Sequence, residues 1–287
     1  MKAYPEQHST LAKRLLDYPG VAKSELPPDQ TPAQDLADAL DNVFNHPNVG
    51  PFIARRLIQR LVTSNPSPEY IARVAAVFND DGSGERGDLG AVVRAILLDA
   101  DARPDPGAAT DVTGKVKEPL LRMLQLWRAY DARARSGLYR LVDADLKYGE
   151  GHLLSPSVFN FFRPDYAPQG EITDRGLTAP EMQIATEYLN TQVTNFLYTQ
   201  ITQRNSTKTG LGSDIVVINI AEEVALAADP DALVARLSDK LLGGRISPSL
   251  ATEARAAITK LSVSKPGQRV SDAMFLIASS PQFAAQR

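Results

Sequence analysis

The sequence of 287 residues contains no cysteine, one tryptophan and three histidines. The absence of cysteine excludes disulfide bonds, thiolate metal sites and cysteine nucleophiles, and it leaves the redox compartment undetermined. His8, His46 and His152 lie far apart, and no spacing places two histidines on one helix face, as a helical zinc motif requires. Zinc sites of the cysteine type and of the paired-histidine type are therefore not predicted.

The chain also lacks an excess of positive charge and a long apolar run. Its 31 Lys and Arg residues are outweighed by 34 Asp and Glu residues, so the net charge is −3. This balance argues against a general nucleic-acid binder, which needs a basic surface. No run approaches the roughly 18 apolar residues that span a bilayer. The first 16 residues contain no apolar core of a signal peptide, so the chain as written is expected in the cytoplasm.

Motifs that bind nucleotides or activate a serine are absent too. No GxSxG motif and no phosphate-binding glycine loop is present. Gly82, Gly84 and Gly87 match the letters GxGxxG, but they follow a predicted helix, whereas a dinucleotide site requires a preceding strand. No cofactor is predicted, and the sequence leaves open whether the protein is an enzyme.

What the chain does contain is a series of capped amphipathic segments, which predicts an all-α fold of about nine to ten helices. Several helix starts pair an N-cap residue with proline at the first helical position, as at Thr31-Pro32 and Ser67-Pro68. We expect a polar arm over residues 1–30 and a single helical domain over 31–287, with a candidate subdivision near 205–214. The longer helices include those predicted over 119–135 and 179–203, the latter capped by Thr178. Between them, 136–177 is predicted to be a long irregular segment.

The loop after the third predicted helix partly matches a calcium-binding loop. Oxygen-bearing side chains occupy its first, third and fifth positions, namely Asn79, Asp81 and Ser83. A glycine follows at the sixth position, as in an EF-hand, but the closing position is also glycine where glutamate is needed. The alternative is an ordinary turn whose glycines adopt positive φ before the N-cap Asp88. No metal site is predicted.

Two other clusters each allow two interpretations. Arginines gather on and near the second predicted helix, at Arg55, Arg56, Arg60, Arg73 and Arg94. They would bind phosphate or sulfate, or they cover a helix face and pair with carboxylates. The aromatic run of Phe159, Phe161, Phe162 and Tyr166 would line a groove for a sugar or peptide, or its three phenylalanines anchor the irregular segment to the core.

A ligand site would require the segments 45–60 and 151–170 to converge. The polar groups that would then meet beside aromatic side chains are His46, Arg55, Arg56, His152, Arg163 and Asp165. Apolar walls with a few polar groups are typical of ligand pockets. The alternative for His46 is a structural role between two helices, where it satisfies helix-end carbonyl groups.

Several ordered stretches resemble the bacterial family called domain of unknown function 1800 (DUF1800). The longest are HPNVGPFIARRLIQRLVTSNPSPEYIARVAAVF at 46–78 and GERGDLGAVVRAILLDADAR at 84–103. Shorter ones are HSTLAK at 8–13, SPSVFNFFRPDY at 155–166, and SSPQF at 279–283 with the terminal QR. Together these stretches extend over nearly the whole chain.

The resemblance implies several expectations that the residues alone do not give. Proteins of this family are longer and many carry an export signal, so the chain is expected to be a C-terminal portion of an exported protein. Its location would then be periplasmic or extracellular. Expected partners are the missing N-terminal portion and another exported protein, because the family's gene neighbours are related to sulfatases and phosphatases. The family has no established biochemical activity.

Two hypotheses for function follow. The first is a non-catalytic helical interaction or assembly module of an exported bacterial system, because no catalytic constellation is recognisable in the sequence. The alternative is a hydrolase, or a binding protein for an anionic or sugar-like ligand.

Overall fold

The computed structural model describes residues 4–104, 113–208 and 212–286. Over these residues the protein is all-α, as predicted, with nine helices of seven or more residues. The helices are α1 Pro32–Phe44, α2 Val49–Leu61, α3 Pro68–Asn79, α4 Leu89–Leu98, α5 Pro119–Ala129, α6 Ala144–Tyr148, α7 Glu171–Asp174, α8 Glu187–Tyr198, α9 Ala221–Ala225, α10 Pro230–Leu242, α11 Pro248–Thr259, α12 Pro266–Ala278 and α13 Pro281–Ala284. The strands are β1 Lys13–Arg14, β2 Glu25–Leu26, β3 Lys115–Val116 and β4 Ala285–Gln286, which pair antiparallel as β1–β2 and β3–β4.

The chain divides into two compact units. The first comprises Met1–Val62 and Pro66–Ala109, and the second comprises Thr63–Asn65 and Thr110–Arg287. The candidate subdivision near 205–214 falls within the second unit and stays a prediction.

The core of the first unit lies between α2, α3 and α4. Its buried side chains are Ala54, Ile58, Tyr70, Val74, Ala75, Phe78, Val92 and Ile96. The caps that start α3 and α4 are the predicted ones, since Ser67 accepts a hydrogen bond from Tyr70 N and Asp88 accepts from Gly90 N. The apolar run of α4 predicts that Leu97 is buried beside Ile96, and this is wrong, because Leu97 is 45% exposed. The buried stripe of α4 is narrower than its apolar sequence suggests.

Over its described residues 4–30, the N-terminal arm contains one short helix, a 3₁₀ turn over Pro5–Gln7, followed by the β1–β2 pair. In that pair Lys13 lies opposite Leu26, and Leu26 is buried.

The second unit has a larger core formed mainly by α5, α8, α10, α11 and α12. Helix α5 ends at Ala129, six residues before the predicted end. Beyond this end, Asp131 adopts a positive φ of 45°, and Arg133 exchanges two backbone hydrogen bonds of 2.8 Å with Val217. Extended pairing with the segment near Val217 thus takes the place of the last predicted helical turns.

The helix predicted over 179–203 is three elements in the structure. They are a 3₁₀ turn over Pro180–Gln183, helix α8, and a π-helical turn over Thr199–Gln203. Thr186 caps α8 by accepting from Leu189 N, whereas Thr178 donates to Ser64 O. The predicted cap is therefore wrong.

Candidate functional site

Helix α1 presents its apolar side to solvent. A capping box starts it, because Thr31 accepts from Gln34 N while the Gln34 side chain accepts from Thr31 N. The side chains of the apolar stripe are Leu36, Leu40, Val43 and Phe44, which are 47%, 60%, 53% and 41% exposed. We call these four residues the α1 face. None of them belongs to the core of the first unit.

The opposite side of α1 is polar and buried. Asp35 and Asn42 are 7% and 5% exposed. Asp35 Oδ2 lies 2.8 Å from His8 Nε2 and 2.7 Å from Lys13 Nζ, and the hydrogen bond from Lys13 holds the pKa of Asp35 below its ordinary value despite burial. Asn42 accepts from Leu16 N and donates to Leu16 O. The arm thus covers the polar side of the helix, the reverse of the usual arrangement of an amphipathic surface helix.

Charge on α1 is of one sign. The helix contains Asp35, Asp38 and Asp41 and no lysine or arginine. Two of the three are occupied by the arm, since Lys23 Nζ lies 2.8 Å from Asp38 Oδ1 and Lys13 binds Asp35. Asp41 remains exposed beside the α1 face.

The predicted site residues of the first unit have local roles. His46 Nδ1 accepts a hydrogen bond of 3.1 Å from Asn48 N at the start of α2, and its ring packs edge-on against Tyr18 at 4.7 Å. His46 therefore satisfies an amide at a helix N-terminus, whereas the sequence suggested carbonyl groups. Arg56 donates to Gln59 Oε1 at 2.9 Å, and Arg55 is exposed.

The predicted site residues of the second unit lie on its surface. His152 is exposed, and Arg163 Nε lies 3.6 Å from Asp165 Oδ1 with both side chains more than 60% exposed. Phe159, in the aromatic run of the irregular segment, is 64% exposed. Not every residue of this run therefore anchors the segment to the core. Convergence of these residues with His46 and its neighbours on one ligand stays a prediction.

The calcium-like loop is held by its own hydrogen bonds. Asp81 Oδ1 accepts from Ser83 N and Glu85 N, and the bonds from Ser83 lower the pKa of Asp81. Arg86 donates to the Asn79 side chain. Over the part of the chain that the structure describes, no three His, Asp or Glu side chains are grouped to hold a metal ion. The carboxylate oxygens that would bind calcium thus serve the turn.

Pairing with carboxylates accounts for one member of the arginine cluster. Arg73 Nη2 lies 2.7 Å from Asp99 Oδ1 and 3.4 Å from Asp101 Oδ2. The hydrogen bond to Asp99 raises the pKa of Arg73 above its ordinary value. The neighbour-pairing interpretation therefore holds for this arginine.

The fold and these contacts define an all-α protein in which the apolar side of α1 is exposed and most predicted polar site residues have local partners. The chain belongs to the family described as "Protein of unknown function (DUF1800)", whose model matches residues 1–285. No curated protein and no solved structure matches the chain. The family resemblance is confirmed, while the expectation that the chain is the C-terminal portion of a longer protein stays a prediction. Of the helices in the described ranges, none has the length and apolar character to cross a membrane.

Proposed function

We propose that the protein is a non-catalytic helical interaction module and that the α1 face is its docking surface. The observation that carries this proposal is the orientation of α1, whose apolar side is in water while Asp35 and Asn42 on the other side are buried. Soluble proteins rarely expose a contiguous apolar stripe unless it binds something.

The α1 face can supply part of the binding energy of a specific complex. Full burial of a Leu, Val or Phe side chain contributes about 1.5–3 kcal/mol, so covering side chains that are already half-buried contributes about 1 kcal/mol each. The four residues of the α1 face would together supply roughly 4 kcal/mol before the rest of an interface is counted.

The occupant that fits this surface is an amphipathic helix of another protein, with Lys or Arg beside its apolar stripe. A helix can lay its apolar side along Leu36, Leu40 and Phe44 in the helix-in-groove mode. The exposed Asp41 and the absence of basic residues on α1 favour a cationic flank on the partner. The same charge disfavours an anionic lipid surface, which attracts basic amphipathic helices.

The compartment is part of the proposal and rests on the family resemblance. We propose that the partner is an exported protein and that the complex forms outside the cytoplasm. Fractionation of the native host is expected to recover the protein in the periplasmic or secreted fraction, and recovery only with cytoplasmic markers would contradict this part.

Site-specific crosslinking in the native host tests the docking surface. A photoreactive phenylalanine analogue replaces Leu40, and in a matched control it replaces Leu146 of the second unit, which is 63% exposed. We expect position 40, and not position 146, to crosslink a single protein through a segment with an apolar stripe and flanking Lys or Arg. Crosslinks to a second copy of this chain, to lipid, or equally from both positions would refute the proposal.

The Kd of the complex with the identified partner then measures how much the α1 face contributes to binding. The double variant Leu36→Gln/Leu40→Gln is expected to raise Kd by about 10- to 100-fold, because each substitution removes about 1 kcal/mol of burial. The control Leu146→Gln/Leu153→Gln also alters two exposed leucines and should leave Kd unchanged. Similar values for the two double variants would exclude the α1 face as the interface.

The alternative, a hydrolase or a binding protein for an anionic or sugar-like ligand, remains a hypothesis. One separate observation, a cationic cleft in the second unit, favours the ligand-binding protein of this alternative.

A further inference from the structure

The second unit contains a cleft of about 410 Å³ beside α5, α6 and α8. Its apolar walls are aromatic: Trp127 from α5, Tyr148 from α6 and Phe196 from α8. The Phe196 ring centroid lies 6.1 Å from that of Trp127 and 5.4 Å from that of Tyr148, the latter edge-on. This size and these walls suit a small molecule that has a flat ring.

Three of the four charged residues that line the cleft are cationic. Arg140, Lys147 and Arg204 line it, and Asp214 is the one carboxylate among the lining residues. Asp214 is only loosely engaged, since Arg140 Nε lies 3.9 Å from Asp214 Oδ2. Lys147 Nζ donates to Val142 O at 3.1 Å and to Asp143 Oδ2 at 3.4 Å, and its third proton is left for a further acceptor. The cleft therefore has a net positive charge.

Arg204 is the cation best placed for a ligand. Its side chain is half-buried, and no carboxylate of the described residues lies within ion-pair distance of it. It is close enough to Tyr148 for its charge to oppose the effect of burial, which raises the pKa of Tyr148 to about 12. A half-buried guanidinium without a counter-ion is a favourable partner for an oxyanion.

The π-helical turn brings Arg204 to this position. Gln192, Asn195 and Thr199 line the cleft at helical spacing along α8. The π turn then begins at Thr199 and inserts an extra residue, which shifts the register so that Arg204 lines the cleft. Gln200 within that turn is fully buried and accepts a hydrogen bond of 3.1 Å from Trp127 Nε1. The turn is thus fixed to the aromatic wall beside the site.

We propose that this cleft binds an organic phosphate monoester that carries a flat ring. Arg204 and Lys147 would bind the phosphate oxygens, and the ring would pack against Phe196 and Trp127. The proposal concerns the second unit alone and goes beyond the docking role of α1, so either can fail without the other.

Trp127 is the only tryptophan of the chain and therefore reports directly on the cleft. The probes are phenyl phosphate, inorganic phosphate and phenol, titrated against the full chain while tryptophan fluorescence is recorded. We expect a saturable change with phenyl phosphate, a weaker one with inorganic phosphate, and none with phenol at the same concentrations. This order would show that both the charge and the ring contribute.

Variants test the cationic residues and the aromatic residues of the cleft separately. Arg204→Gln and, separately, Lys147→Gln should weaken phenyl phosphate binding by about tenfold or more, because each removes a charge-assisted contact. Phe196→Leu should weaken phenyl phosphate and leave inorganic phosphate unchanged. The control is Arg245→Gln, an exposed arginine of the same unit outside the cleft, which should bind as the unmodified chain does.

The outcomes that overturn the proposal are direct. If phenyl phosphate gives no saturable signal at millimolar concentration, or if phenol binds as tightly, the cleft does not bind phosphate esters. Lys147 is 45% exposed, so its variant is expected to fold even if that of Arg204 does not. Unchanged binding by Lys147→Gln together with a folded, fully binding Arg204→Gln would also refute it.

Discussion

Replacing Lys115 with methionine is expected to destabilise the second unit strongly. Lys115 Nζ lies 2.6 Å from Glu181 Oε1, and each side chain is 2% exposed. The other carboxylate oxygen, Glu181 Oε2, is buried without a hydrogen-bond partner among the described residues. The ion pair joins β3 to the 3₁₀ turn over Pro180–Gln183. Loss of the ammonium group would therefore leave a buried carboxylate without its counter-charge.

The magnitude follows from the cost of an uncompensated buried charge. Removing one partner of such a pair destabilises a protein by about 3–5 kcal/mol. With a urea m-value of about 2 kcal/mol/M, the midpoint should fall by roughly 2 M. The double variant Lys115→Met/Glu181→Leu should recover most of this loss, because neither charge is then buried.

Urea unfolding followed by tryptophan fluorescence is the appropriate assay, since Trp127 lies in the second unit. The surface pair of Arg163 and Asp165 is the control, and Arg163→Met should change stability by less than about 0.5 kcal/mol. The reasoning is refuted if Lys115→Met costs no more than the control, or if the double variant is less stable than Lys115→Met.

Three further predictions concern pH, a glycine and the arm. Burial lowers the pKa of Lys117 to about 8, so above pH 8 the unfolded chain binds more protons at this residue than the folded chain does. The free energy of unfolding should therefore rise by roughly 1–2 kcal/mol from pH 8 to 9.5, after allowance for partial exposure. Urea unfolding at a series of pH values measures this rise, and the variant Lys117→Met should not show it. Gly87→Ala should lower the melting temperature more than Gly82→Ala does. Both glycines have positive φ, but only at Gly87 would an added Cβ contact a ring, that of Phe44, at 2.7 Å. Equal decreases in melting temperature would show that the Phe44 ring moves aside at no cost. Asn42→Ala should speed hydrogen exchange in the arm, because Asn42 hydrogen-bonds to the backbone at three points; unchanged exchange would mean that other contacts hold the arm.

Helix positions could be predicted from the sequence wherever a local signal fixes them. Helix α10 shows such signals at both ends, because Asp229 as N-cap with proline after it starts the helix and Gly243 in the left-handed conformation ends it. The end of α5 could not be predicted in the same way. It depends on backbone pairing between Arg133 and Val217, which are more than 80 positions apart in sequence.

For the candidate sites, too, some features could be predicted from the sequence and others could not. Helical spacing places Leu36, Leu40 and Phe44 on one stripe of α1, but periodicity does not show which side of a helix is covered. That depends on the buried Asp35 and Asn42, whose partners come from the arm. The cleft depends on the π turn, which has no periodic signature over five residues. Nothing in the local sequence around Arg204 indicated that it would line a cavity.

The contacts that attach the arm to α1 determine which conditions release it. Over its described part, residues 4–30, Leu26 is the only buried residue, while the contacts with α1 are mainly ionic and hydrogen-bonded. Heat-capacity change on opening comes chiefly from newly hydrated apolar surface. Release of the arm would therefore be nearly invisible to scanning calorimetry. It would respond instead to loss of the paired charges, because Asp35, which His8 and Lys13 contact, has a side chain only 9% exposed and salt screens such partly buried pairs weakly. Removal of the Lys13 charge, more than temperature, is expected to control whether the polar side of α1 is covered.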